Sequence, residues 1–111
     1  ESFAIILIED IVAVEFLDEI LEVEGVDLFY VAPGDLGQSL GHLDRMHPEV
    51  LATVERAIKT IVAAGRAAGT LVTTESVSTY TDLGVRFVTT GYTPWLERGT
   101  KDFHMAMRPG R

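Results

Sequence analysis

Four short apolar runs alternate along this chain with four segments of helical periodicity, which confines it to an α/β fold on a parallel sheet. The runs lie at about residues 3–8, 26–31, 67–72 and 86–90, and the helical segments at about 13–21, 48–64, 75–83 and 94–107. The first two runs are nearly unbroken, the pattern of strands covered on both faces. In the first helical segment Val14, Leu17, Ile20 and Leu21 make one stripe, with Glu15, Asp18, Glu19 and Glu22 elsewhere, and Val50, Val54, Ile58 and Ile61 repeat the stripe in the second. The punctuation agrees. Pro48 and Pro94 suit first helical turns, Thr93 suits an N-cap, and Gly25, Gly65 and Gly84 stand where helices should stop. A closed (β/α)8 barrel takes eight such units and about 250 residues. Four consecutive βα units therefore imply either half a barrel or a small open sheet.

Composition sets the class. With 111 residues, 47% hydrophobic and 23% charged, the chain has the apolar material for one globular domain. A net charge of -8, with scattered cations such as Arg98, Lys101, Arg108 and Arg111, argues against a nucleic-acid partner. The absence of cysteine excludes a disulfide framework, a thiolate metal site and a cysteine nucleophile. No apolar stretch has the length of a membrane span, and no basic segment leads into an apolar one at the start. A cytoplasmic protein with no membrane partner is expected. The sequence opens at Glu1 directly before the first apolar run, as a gene fragment would.

Two of the runs end in carboxylates. Glu9 follows Phe3-Ala-Ile-Ile-Leu-Ile, and Asp35 follows Phe29-Tyr-Val-Ala-Pro-Gly. On neighbouring parallel strands, about 4.8 Å apart, both would open onto the carboxyl end of the sheet, where α/β proteins build their sites. Mg²⁺ or Mn²⁺ takes one or two protein carboxylates and leaves its other positions to water and substrate oxygens. Acidic residues after strands also serve simply as turn and loop residues. The connection from Ala32 to His47 is long for a βα loop and is expected to be functional. Its Pro33-Gly34-Asp35 turn can aim the amides of Gly34 and Asp35 at a substrate carboxylate, such as that of a keto acid. His42, His47 and His104 lack ligand spacing and read as structural or exposed. Ser39 stands outside any Gly-x-Ser-x-Gly elbow, so serine hydrolysis has little support. Thr73, Thr74, Thr89 and Thr90 fall at the ends of the third and fourth runs, where capping is the expected job, and Trp95 reads as a packing or interface aromatic.

The series Ile6-Leu-Ile-Glu9-Asp10, Gly25-Val-Asp-Leu-Phe-Tyr-Val-Ala-Pro-Gly-Asp-Leu-Gly-Gln-Ser-Leu-Gly41, His47-Pro-Glu-Val50 and Ala63-Ala-Gly65 resembles the carboxyl-terminal half of the HpcH/HpaI family of class II pyruvate aldolases, in order over nearly the whole chain. The resemblance implies that residues 1–111 are the carboxyl-terminal half of a (β/α)8 TIM barrel whose amino-terminal half is absent. It implies a carbon–carbon lyase that cleaves 4-hydroxy-2-oxo acids or 2-keto-3-deoxy sugar acids to pyruvate and an aldehyde. Glu9 and Asp35 would be the ligands of a divalent ion (Mg, Mn or Co), and the Gly34 and Asp35 amides would meet the pyruvate carboxylate. The family's enolate-stabilising Arg and its acid-base His belong to the other half, so no catalytic residue is carried over and the 111-residue chain alone is expected to be inactive. Ala32 stands where the family usually has Gly, and Gly99-Thr100 is expected to interrupt the last helix and so to weaken its family role in subunit contacts.

Two other readings compete. Glu9-Asp10 resembles the acidic Mg pair of a phospho-receiver signalling domain, but a receiver carries its phospho-accepting Asp after a third strand, whereas Asp35 follows the second. The chain is otherwise a non-catalytic remnant. A half-barrel leaves two strand edges and an apolar inner face open, so a homo-oligomer is expected.

Overall fold

In the computed structural model, which describes residues 1–107, four strands and six helices follow one another along the chain. They are β1 (Ile5–Ile8), α1 (Ile11–Glu15), α2 (Leu17–Ile20), β2 (Leu28–Val31), α3 (Pro33–Ser39), α4 (Pro48–Ala63), β3 (Ala68–Leu71), α5 (Val77–Asp82), β4 (Phe87–Thr89) and α6 (Thr93–Ala106). Arg108 and Arg111 lie outside the described residues.

The four strands form one parallel sheet in the order β1-β2-β3-β4. Ile8 pairs with Val31, Val31 with Thr70, and Thr70 with Val88, so the strands end nearly level. Each strand lies beside its predecessor, which is how a (β/α)8 barrel is laid down. A receiver reverses strand order at a switch point and needs a fifth strand. The order found here overturns that reading.

One face of the sheet carries the core. Side chains alternate across a strand, and Phe29, Val31 and Ala68 meet Leu17 and Leu21 of the first helical region, Leu36 of α3, and Val50, Val54, Ile58 and Ile61 of α4. Tyr30, Gly69, Leu71, Phe87 and Thr89 alternate to the opposite face. There the Tyr30 hydroxyl lies 2.6 Å from Thr89 Oγ1. A Cβ on Gly69 would come within 3.0 Å of the Phe87 carbonyl oxygen and 3.2 Å of both the Phe87 and Tyr30 rings, so the smallest residue makes room for two rings. At the sheet's outer edges Leu7 and Phe87 remain 53% and 38% exposed.

Four details differ from the sequence reading. The first helix breaks at Phe16 (φ −100°, ψ 18°), turning Leu17 and Leu21 onto the core while α1 contributes only the part-buried Ala13 and Val14. The connection after β2 is not all loop, because it contains α3. Two glycines in seven residues oppose a helix by propensity, but Pro33 at the first helical position and the full burial of Leu36 outweigh them. A Cβ on Gly37 would lie 3.3 Å from Val50 Cγ2, so the glycine lets α3 close on α4. Thr93 is inside α6 and Tyr92 precedes it without a side-chain cap, and α6 runs unbroken through Gly99-Thr100, where Thr100 Oγ1 donates to the Leu96 carbonyl at 2.7 Å. Gly65 and Gly84, each one residue past the C-cap of α4 or α5, stop those helices as expected with φ of 73° and 102°, whereas α2 already ends at Ile20 and Gly25 (φ 81°) turns the chain ahead of β2.

Candidate metal centre

Glu9 is the residue immediately after β1, and Asp35 lies in the first turn of α3, immediately after β2. Both are exposed at the carboxyl end of the sheet. The ladder extends one bond past the β1–β2 register, with Ala32 N–H donating to the Ile8 carbonyl at 3.0 Å. Glu9 thus follows the last bonded residue of β1, and Asp35 stands three residues past Ala32 on α3. At Ala32, φ is −94°, a conformation open to any residue, so the alanine needs no glycine there. Both candidate ligands are hard oxygen donors, the type that suits Mg²⁺ and Mn²⁺.

The loop between β1 and α1 is fastened at both ends. Asp10 caps α1, its carboxylate accepting from Ala13 N–H at 2.8 Å. The next amide, Ile11 N–H, donates to Ser39 Oγ at 2.8 Å, across 28 residues of sequence. On α3, the Gly34 and Asp35 amides fall in the first turn, where a helix offers no internal acceptor, and Pro33 fills the position that has no N–H to lose.

Between α3 and the start of α4 stands a group the sequence reading missed. His42, His47 and Glu49, separated by loop and helix start, hold their ligand-capable atoms within 4.8 Å of one another. His42 Nε2 lies 2.5 Å from Glu49 Oε2, and the two imidazoles stack at 3.7 Å between centroids with 13° between planes. His47 Nδ1 accepts from Glu49 N–H at 3.2 Å, which makes His47 the N-cap of α4. The hydrogen bond from His42, with the nearby histidine charge, holds the Glu49 carboxyl below its ordinary value of 4.5. Stacked rings keep their in-plane lone pairs in parallel planes that do not converge on one ion, so the group serves as a clamp on the start of α4. Only folding of residues 40–47 into a tight return could have revealed it.

The threonines and Trp95 divide between capping and lining. Thr73 and Ser76 hydrogen-bond at the start of α5, and Thr73 N–H donates to Ser76 Oγ at 2.9 Å. Trp95 Nε1 donates to Thr74 Oγ1 at 3.3 Å, and the indole forms one wall of an open cavity of about 430 Å³ at the ends of β3 and β4, with Thr90, Arg45 and Arg98 among its other walls. His104 remains exposed on α6.

A sequential parallel arc of four βα units is part of a TIM-barrel fold. The chain belongs to the HpcH/HpaI aldolase/citrate lyase family, whose pattern matches residues 1–96. It is 45% identical over 85 residues to a hydroxypyruvate/pyruvate aldolase of Cupriavidus necator, covering 75% of this chain and 32% of that protein. It is 39% identical over 105 residues to a 2-keto-3-deoxy-L-rhamnonate aldolase of Escherichia coli, covering 93% of this chain and 39% of that one. The chain thus spans about a third of the length of these curated relatives. Its fold matches a crystal structure of an HpcH/HpaI aldolase/citrate lyase family protein from Burkholderia cenocepacia with a TM-score of 0.84 and 31% identity, over 96% of this chain and 43% of that one. The citrate synthase SbnG gives a TM-score of 0.77 at 25% identity, over 95% and 44%. Among the described residues, no helix is long and apolar enough to cross a membrane.

Proposed function

We propose that residues 1–111 are the carboxyl-terminal, metal-binding half of a class II pyruvate aldolase, which cleaves 4-hydroxy-2-oxo acids or 2-keto-3-deoxy sugar acids to pyruvate and an aldehyde. Glu9 and Asp35 hold the divalent ion (Mg, Mn or Co), and the Gly34 and Asp35 amides bind the carboxylate of the keto acid. The observation that supports this reading is the level ending of β1 and β2, after which Glu9 stands one residue and Asp35 four residues beyond the strands, both exposed at the carboxyl end of the sheet. The named activities of the relatives point the same way. A bound divalent ion supplies Lewis-acid stabilisation for the negative charge that develops as the carbon–carbon bond breaks, worth several kcal/mol. The chain's own residues orient the substrate: two first-turn amides of α3 fix its carboxylate, and the cavity beside Trp95 receives the part of the acid that leaves as aldehyde. A lack of cysteine suits the cytoplasm in which we place the enzyme.

The residues that handle protons and stabilise the enolate belong to the other half of the barrel, so the isolated chain is inactive. The test is pyruvate release from a 4-hydroxy-2-oxo acid by a full-length enzyme containing this chain. Glu9→Gln and Asp35→Asn should each lower metal-dependent cleavage by about a hundredfold or more. Near-parental rates in both would refute the assignment, and cleavage by the 111-residue chain alone would refute the division of labour.

A further inference from the structure

We propose that Ser39 is a positioning residue for the metal centre: its hydroxyl, accepting from Ile11 N–H at 2.8 Å, fixes the distance between the segment that carries Glu9 and the helix that carries Asp35. This rests on Glu9 and Asp35 being the metal ligands. Asp35 and Ser39 are four residues apart on α3, so they lie one above the other on the same helix face. That face is turned toward the β1–α1 loop, since Ser39 reaches Ile11.

Two hydrogen bonds thus close a frame. At one end Ala32 N–H meets the Ile8 carbonyl at 3.0 Å, and at the other Ile11 N–H meets Ser39 Oγ. Glu9 and Asp35 are the carboxylates held between these two ties. Ala13 and Val14 of α1 pack part-buried against the core, but no residue of α1 is fully buried, and the capping bond of Asp10 is internal to its own helix. The hydroxyl is therefore the only side-chain hydrogen bond that joins the two ligand-bearing segments among the described residues. A site that must keep two carboxylates in chelating geometry depends on such supporting contacts, whose loss costs about 10–100-fold in metal affinity.

The bond can be removed from either side. Ser39→Ala deletes the acceptor and Ser39→Thr keeps it. Ile11→Pro deletes the donor, and it suits this backbone: Ile11 is the first residue of α1, where proline is favoured, and Asp10 before it has φ −138° and ψ 161°, the conformation a following proline demands. The measurement is the Mn²⁺ dissociation constant, read by electron paramagnetic resonance of free Mn²⁺, on a full-length enzyme containing this chain, with the metal-free melting temperature recorded for each variant. Ser39→Ala and Ile11→Pro should each weaken Mn²⁺ binding about tenfold or more, the double variant should be no weaker than the worse single one, and Ser39→Thr should stay within about threefold of the parent. If Ser39→Ala and Ile11→Pro lower only the metal-free melting temperature, or add independently in Mn²⁺ affinity, the hydroxyl is structural and the inference falls, while lost Mn²⁺ binding in Glu9→Gln and Asp35→Asn would leave the ligand assignment standing. If those two carboxylate variants bind Mn²⁺ like the parent, the assignment and the inference fall together. Should Ser39→Ala not fold, Ile11→Pro alone decides.

Discussion

Replacing Arg66 should loosen the chain more than its surface position suggests. Arg66 sits just after the Gly65 stop of α4, and its guanidinium reaches back across 40 to 45 residues to the turn between α2 and β2. Nη1 donates to the Leu21 carbonyl, and Nη2 donates to the carbonyls of Val23 at 3.2 Å and Val26 at 3.0 Å. The same guanidinium lies over the Phe29 ring, 4.7 Å from its centroid. A hydrogen bond from a charged donor contributes about 1.5–3 kcal/mol when sheltered and about 1 kcal/mol when water competes. The side chain is half-buried, so three bonds amount to roughly 2–3 kcal/mol, and the cation–π contact adds about 0.5–1 kcal/mol. Arg66→Ala should therefore cost about 3 kcal/mol, and Arg66→Lys roughly half of that, because one ammonium cannot serve three carbonyls in a fork. Urea denaturation followed by far-ultraviolet circular dichroism, at one fixed protein concentration, measures both. A loss under about 0.5 kcal/mol for Arg66→Ala, or parental stability in Arg66→Lys, would show that the turn is held by its own backbone and not by the guanidinium.

Gly84→Ala should cost about 2–4 kcal/mol, because φ is +102° there and a Cβ would stand 2.9 Å from Val62 Cγ1; adding Val62→Ala should restore the part due to the clash, and no restoration would assign the whole cost to the backbone. The tie from His42 lowers the carboxyl pKa of Glu49 below 4.5, so its stabilising effect is complete above that pH and is lost as pH falls through the lowered value. The melting-temperature difference between parent and Glu49→Gln should accordingly shrink on acidification from pH 6 to pH 3, and a constant difference would refute the tie. The isolated chain should sediment at micromolar concentration as a dimer or larger assembly, since Leu7, Phe87, Trp95, Leu96 and Phe103 are all open to water; a monodisperse monomer would contradict this.

What the sequence disclosed was the part written as periodicity. An unbroken run such as Ile5 to Ile8 marks a strand, β1, although three of its four residues are exposed at this sheet edge and only Ile8 is buried, whereas the stripe Val50, Val54, Ile58 and Ile61 carries its burial in its spacing and is the buried face of α4. Glu9 and Asp35 were legible as strand-end residues for the same reason. The helix α3 is hidden because local propensity opposes it, and it forms through Pro33 at its first position and Leu36 meeting the core. Arg66, the stacked histidines and the Ser39–Ile11 bond join residues between 5 and 45 positions apart. No period announces such contacts, and a serine outside a Gly-x-Ser-x-Gly elbow carries no sign in the sequence of the backbone amide it meets.

The central claim is that the ion sits between the first two strand ends. Crystals of a full-length enzyme containing this chain, grown with Mn²⁺ and pyruvate and measured near the manganese absorption edge, should show one anomalous peak within coordination distance of both the Glu9 and Asp35 carboxylates, with pyruvate oxygens completing the shell and its carboxylate at the Gly34 and Asp35 amides. A peak at His42, His47 and Glu49 instead, or no peak beside Glu9 and Asp35 at saturating Mn²⁺, would contradict the account.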